Sequence, residues 1–193
     1  EDNDPNVRRA AVEALSVLPR DNVDVVYSLY HKLQYGAAEA RRAAIQALCH
    51  LVSPGSEDAI KVAALGLRDE EPSVREASIE AIKSGHIAPK GHLRAFSEVL
   101  QHVQHGYPAT RQASLCALPY LCPAKQEPHT SVVPALVVMM EDTDWAVRRQ
   151  AAMCAGQLGD RLDERMMQSL HKLVEDEEGH VRQAATKALV QLR

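Results

Sequence analysis

The chain has 193 residues, a formal net charge of −4, 46% hydrophobic residues and only 4% aromatic ones. A core so poor in aromatics has to be built from Ala, Leu, Val and Ile, which suits close-packed helices and argues against a β-sandwich. The acidic balance argues against a broad phosphate-binding surface but leaves room for a local basic stripe, and no window approaches the ~18 apolar residues of a membrane span.

In chain order, apolar periodicity predicts helices near residues 5–18, 21–34, 38–51, 57–68, 72–84, 91–104, 108–121, 130–141, 145–158, 162–175 and 179–192. Six of these share one pattern around an arginine: PNVRRAAVEALSVL, AEARRAAIQALCHL, PSVREASIEAIKSG, PATRQASLCALPYL, WAVRRQAAMCAGQL and GHVRQAATKALVQL. The anchors Arg8, Arg41, Arg75, Arg111, Arg148 and Arg182 follow one another at intervals of 33, 34, 36, 37 and 34 residues. Such a period marks a repeat array. In the first copy Val7, Ala11, Ala14, Leu15 and Leu18 fall on one helical stripe, and in the second Ala40, Ala44, Ala47, Leu48 and Leu51 repeat it. Small residues in mid-stripe let neighbouring helix axes come close.

The five intervening helices pair with these anchored ones, so each period is a helical hairpin that cannot bury its stripe alone; stacking the hairpins produces a continuous core. The expected architecture is all-α: a right-handed α-solenoid of stacked antiparallel hairpins over 1–193. The connections 84–92 and 122–129 carry Pro and read as surface loops. Pro119 should end or kink its helix, and Pro134 should sit near a helix start or kink it. The opening EDNDPNVRRAAVEAL is acidic and then helical, unlike a signal peptide. It begins inside the pattern, and ATKALVQLR stops where a helix finishes, so the chain reads as a piece of a longer protein. Unpartnered ends should leave Val12, Val17, Leu189 and Leu192 partly exposed and prone to end-to-end self-association.

The pattern D-x-x-x-x-V-R-x-x-A-x-x-A-L, begun by Asp142, Val147 and Arg148 and by Asp69, Val74 and Arg75, resembles the second half of a HEAT repeat, and the armadillo-like resemblance extends over essentially the whole chain. It implies an α-solenoid with first helices on the convex face, second helices on the concave face, and binding work.

The residues themselves suggest why the acid and the arginine recur. An aspartate stands six residues before the anchor in four copies, Asp2, Asp69, Asp142 and Asp176. There it can cap free N–H groups, and each anchor arginine can reach back to it or to the next copy's acid. Asp2, Arg8, Arg41, Asp69, Arg75, Arg111, Asp142, Arg148, Asp176 and Arg182 are therefore read as turn-pinning. Tyr35 and His105 stand at the aspartate's place in copies two and four, where the ladder should be interrupted.

No catalytic residue, metal ligand or cofactor site is expected. None of the nine histidines is followed by Glu, unlike the His-Glu pairs of the HEAT-like deoxyhypusine hydroxylases, and His102 and His105 lack a third ligand. Cys49, Cys116, Cys122 and Cys154 form no CxxC pair and read as reduced structural thiols, placing the protein inside the cell, in the cytoplasm, with the nucleus also open. The row Arg9, Arg42 and Arg149 is broken by Glu76, Gln112 and Gln183, a mixture that suits an acidic protein segment better than the DNA gripped by the HEAT-like alkylpurine glycosylases. Positions one, five, eight and nine after each anchor are expected on the exposed face. The candidate protein-binding residues there are Arg9, Arg42, His50, Glu76, Gln112, Tyr120, Arg149, Met153 and Gln183, together with Trp145, which stands where other copies have Pro. The resulting expectation is a non-enzymatic scaffold within a larger protein or complex, presenting a curved concave surface to protein partners. The alternatives are a HEAT-like enzyme or enzyme-assisting subunit of the phycobilin lyase type, and nucleic-acid binding through the concave basic row.

Overall fold

A computed structural model describes residues 4–123, 129–158 and 164–192; Asp2 lies outside them. The described residues form helices and connections, with no strand among them. The helices are α1 (Pro5–Ser16), α2 (Val23–Tyr35), α3 (Ala38–Leu51), α4 (Glu57–Leu67), α5 (Pro72–Lys83), α6 (Leu93–His105), α7 (Pro108–Leu121), α8 (His129–Met139), α9 (Trp145–Leu158), α10 (Glu164–Leu173) and α11 (Gly179–Gln191).

Local chemistry sets the starts. Asp4 caps α1 by accepting from Asn6 N at 2.8 Å, Asn22 caps α2 through Val25 N, and Ser56 caps α4 through Ala59 N. Pro5, Pro72 and Pro108 occupy the first helical position, where a missing N–H costs nothing. At α9, Asp144 accepts from Ala146 N at 2.8 Å and Val147 N at 3.4 Å.

The chain divides into two compact units, Glu1–Ala95 and Phe96–Arg193. In the first, the anchored helices α1, α3 and α5 pack in sequence, α2 covers α3, and α4 covers α5. In the second, α7, α9 and α11 pack in sequence, with α8 on α9 and α10 on α11. From the second copy on, the stripe is largely buried, by Ala44, Ala47, Leu48, Leu51, Val74, Ala81 and Ile82 in one unit and Val147, Ala151, Ala155, Val181, Ala185 and Ala188 in the other. The stripe read for the first copy is not, since Val7, Ala11, Ala14 and Leu18 are exposed and Leu15 is half-buried, α1 having a neighbour on one side only. Gly156 lets α9 and α11 touch, because a Cβ there would meet the Ala188 Cα at 3.0 Å and the side chain of Gln191. Gly66 does the same for α4, where a Cβ would fall 2.7 Å from both Ile45 Cδ1 and Ser78 Cβ.

Several local expectations change. Pro119 does not end α7, which runs two residues further and closes on a bond from Cys122 N to Leu118 O. Pro119 forfeits one rung of the ladder, the bond to Leu115 O, while the buried Leu118 and Leu121 hold the last turn against its neighbours. Pro134 lies mid-helix in α8 on an exposed position. Leu192 is buried, not exposed, because the last turn of α11 folds it inward; Val12 and Leu189 are half-buried and Val17 is exposed. Position eight after the anchor is buried in copies two and five, where Cys49 and Gly156 sit against neighbouring helices.

Candidate interaction surface

The anchor arginines bridge consecutive copies. Arg41 Nε and Nη2 each donate to the Asp69 carboxylate at 2.8 Å. Arg148 repeats the fork on Asp176, at 2.8 and 3.0 Å. Arg111 Nη2 donates to Asp142 at 2.9 Å, while its Nε stands 2.8 Å from the same carboxylate in a less aligned contact. The remaining guanidinium nitrogen, Nη1, turns back to the carbonyls of its own turn: Asp69 and Glu70 for Arg75, Asp142 and Thr143 for Arg148, Asp176 and Glu177 for Arg182. Each aspartate accepts at 2.9 Å from the N–H two residues on, at Glu71, Asp144 and Glu178. It thus braces the turn before the helix; beyond it Asp144 caps α9, whereas Glu71 and Glu178 make no side-chain cap bond at α5 and α11. The arrangement holds Asp176 below the usual carboxylate range, chiefly through its bonds from Arg148, and raises the Arg148 pKa in return.

Where the aspartate is missing, glycine makes the turn. Gly36 and Gly106 sit so close to the preceding helix that a Cβ would lie 2.5 Å from the Lys32 and His102 carbonyl oxygens. Arg41 and Arg111 donate Nη1 to the carbonyls of these glycines, at 3.0 and 2.7 Å. At the copy bearing Tyr35, Arg8 meets Glu39 at 3.6 Å.

The opposite ends of the hairpins in the first unit carry a second set of links, which the repeat pattern does not announce. Asp21 adopts φ 60°, a left-handed backbone uncommon outside Gly, Asn and Asp. From there its N–H donates to Leu51 O at 2.6 Å, and its carboxylate accepts from Ser53 N and Ser53 Oγ at 3.1 and 2.6 Å. Gly55, at φ +82°, donates to Ile87 O at 2.7 Å beneath the His92 ring. The only hint in the sequence is the polar, glycine-bearing character of these connections, which carries no pairing information.

The outward positions of the anchored helices are polar and varied. In the first unit Arg9, His50 and Glu76 are exposed, and Arg42 is half-buried and paired with Glu39 at 3.0 Å. In the second, Tyr120 and Gln183 are exposed while Gln112, Arg149 and Met153 are half-buried. Trp145 is 42% exposed and packs against His180 of the next copy, ring centroids 5.8 Å apart. Nothing local in the sequence links His180 to Trp145. Beside α1, an open groove of ≈ 220 Å³ is lined by Val7, Ala11, Leu15, Leu29, Ala40 and Ala44 among others. Among the described residues no three His, Cys, Asp or Glu side chains gather to hold a metal, and no helix is long and apolar enough to cross a membrane.

Comparison with known proteins agrees with this geometry. Residues 96–190 match the family described as HEAT repeats, and residues 1–15 and 64–82 match the family described as HEAT repeat associated with sister chromatid cohesion. No curated protein matches the chain. Among solved structures, the complex of CpcE and CpcF of phycocyanin lyase from Nostoc sp. is similar at TM-score 0.62 and 22% identity, covering 87% of this chain and 99% of that one. A designed armadillo repeat protein in complex with the peptide (KR)4 is similar at TM-score 0.53 and 15% identity, covering 99% and 96%. With its anchored helical hairpins and these matches, the chain belongs to the HEAT-type, armadillo-like family of helical repeat proteins.

Proposed function

We propose that the chain is a non-enzymatic protein-interaction scaffold, part of a larger protein or complex, whose contact surface is the outward face of its anchored helices. The observation that carries this reading is a contrast within each copy. The inward stripe is nearly uniform, whereas the outward position one after the anchor runs Arg9, Arg42, Glu76, Gln112, Arg149 and Gln183. Packing demands nothing of those outward residues, so their variety is available for recognition. The designed armadillo protein held with a peptide shows that a similar fold can carry such work. Trp145 with Arg149, one helical turn apart, is the strongest candidate anchor, because Trp and Arg dominate interface energies.

Affinity capture of partners with the intact protein, then with Arg42→Glu and Arg149→Glu, tests the surface. Loss of at least one partner is expected; unchanged capture of every partner removes this face. The mixed charge makes flow-through expected on immobilised DNA at physiological salt. The free cysteines fit a reducing intracellular compartment. The open apolar groove beside α1 makes weak self-association through that end an expected behaviour, read as concentration-dependent sedimentation.

A second reading, an enzyme-assisting subunit, is favoured by the similarity to the phycocyanin lyase complex. A visible chromophore bound in stoichiometric amount to the purified protein would support it over the scaffold.

A further inference from the structure

Two histidines from consecutive copies meet at the inter-hairpin edge of the first unit. The rings of His50, at the end of α3, and His86, after α5, have centroids 5.0 Å apart and planes inclined at 66°. Separated by 36 residues in sequence, they satisfy no local ligand spacing.

The contacts around His86 favour Nε2 as its open ring nitrogen. Ser84 Oγ lies 2.9 Å from Glu80 O and 3.1 Å from Ala81 O. Carbonyl oxygens only accept, so the hydroxyl proton goes to them. Ser84 Oγ, 2.7 Å from His86 Nδ1, is then the acceptor of the Nδ1–H. With the hydroxyl proton on the carbonyls, neutral His86 is assigned as the Nδ1–H tautomer, with its lone pair on Nε2. A bond from one imidazole nitrogen to a protein oxygen is the usual device for orienting the other toward a metal.

The separation of the rings also fits. With a metal–nitrogen distance of about 2.1 Å and a tetrahedral angle, two ligating imidazoles place their centroids about 5.2 Å apart. His50 is exposed, so no surrounding packing fixes its ring.

We propose that His50 and His86 form a two-imidazole site for a late first-row divalent cation, Cu²⁺, Ni²⁺ or Zn²⁺, with water in the remaining positions. Imidazole nitrogen selects these ions over Mg²⁺ and Ca²⁺, which prefer oxygen. No third protein ligand joins among the described residues, so the site is open and exchangeable. Arg20 lies near His86 and opposes a cation, and the neighbouring Asp21 carboxylate offsets part of that charge. A bound ion would clip the end of α3 to the connection after α5. The proposal is independent of the scaffold reading.

The test is a titration of the intact protein with Ni²⁺ alone, following histidine ring resonances by NMR, with the other seven histidines as internal controls. His50 and His86 are expected to broaden together and before the rest, with a rise in melting temperature. His50→Gln should abolish the effect at His86, and Ser84→Ala should weaken binding about tenfold or more by freeing the ring. Melting curves without metal show that the variants are folded. Broadening spread evenly over all histidines, or unchanged affinity at His86 in His50→Gln, overturns the proposal.

Discussion

Arg148 in α9 grips Asp176 before α11 with a two-pronged ion pair, and both side chains are about nine-tenths buried. One guanidinium also binds two carbonyls of its own turn. A single side chain thereby fixes the shape of one turn and its distance to the next.

Replacing Arg148 with Met should therefore cost more than an ordinary surface change. The two bonds to Asp176 and the two to the carbonyls of Asp142 and Thr143 are lost and Asp176 is left partly desolvated, which together are worth at least about 1.5–3 kcal/mol. Denaturant unfolding of the variant measures it. A cost within 0.5 kcal/mol of zero, the range of about ±0.5 kcal/mol found for surface substitutions, would remove the ladder as a source of stability.

The same pair predicts an acid response. Asp176 has a folded pKa below its unfolded value, so its contribution is fully present above about pH 4 and drains away as pH falls through the depressed folded value. Urea midpoints should fall between pH 5 and pH 3. In Arg148→Met the Asp176 share of that fall should vanish, leaving a shallower slope.

Leu48 is fully buried in the stripe of copy two, whereas Gln46 on the same helix is exposed. Leu48→Ala should cost about 2–5 kcal/mol and Gln46→Ala close to nothing. Equal effects would mean that the stripe has been misassigned.

Gly156 is predicted to tolerate no larger side chain. Gly156→Val drives a branched group into Ala188 and Gln191, so α9 and α11 must part, at a cost of about 1–3 kcal/mol or more. Thermal melting resolves a change of that size.

Thiol labelling should follow burial. Burial pushes the Cys49 thiol up to about 12 and raises Cys154 as well, so neither has appreciable thiolate at pH 8. Half-buried Cys116 should react first with a disulfide reagent, and Cys49 and Cys154 only after unfolding. Early labelling of Cys154, identified by peptide mapping, would contradict the packing.

The all-helical repeat was legible because its cause is periodic. Arg41, Arg75 and Arg148 recur in register, and small residues such as Ala47 and Ala151 mark the buried stripe by spacing alone. The pairing of Arg148 with Asp176 was anticipated as one of two options, since the same acid precedes several anchors. Tyr35 and His105 occupy the aspartate's place, and nothing in the repeat pattern marks the neighbouring Gly36 and Gly106 as its substitutes. Asp21 with Ser53, Trp145 with His180 and His50 with His86 are contacts between distant residues of unlike type. Such pairs depend on how neighbouring copies are rotated on one another, and no local pattern encodes that angle.

The links at both ends of the hairpins have a mechanical consequence for the first unit. Layers joined along one margin can fan apart like the pages of a book. Here Arg41 and Asp69 fasten one margin, while Asp21 with Ser53 and Gly55 with Ile87 fasten the other. Fanning toward either side must break a polar fastening as well as separate apolar faces. At the outer end, the apolar stripe of α1 lies open along the groove lined by Val7, Ala11 and Leu15. Under load or on warming, the unit should peel from that helix inward and not splay in the middle.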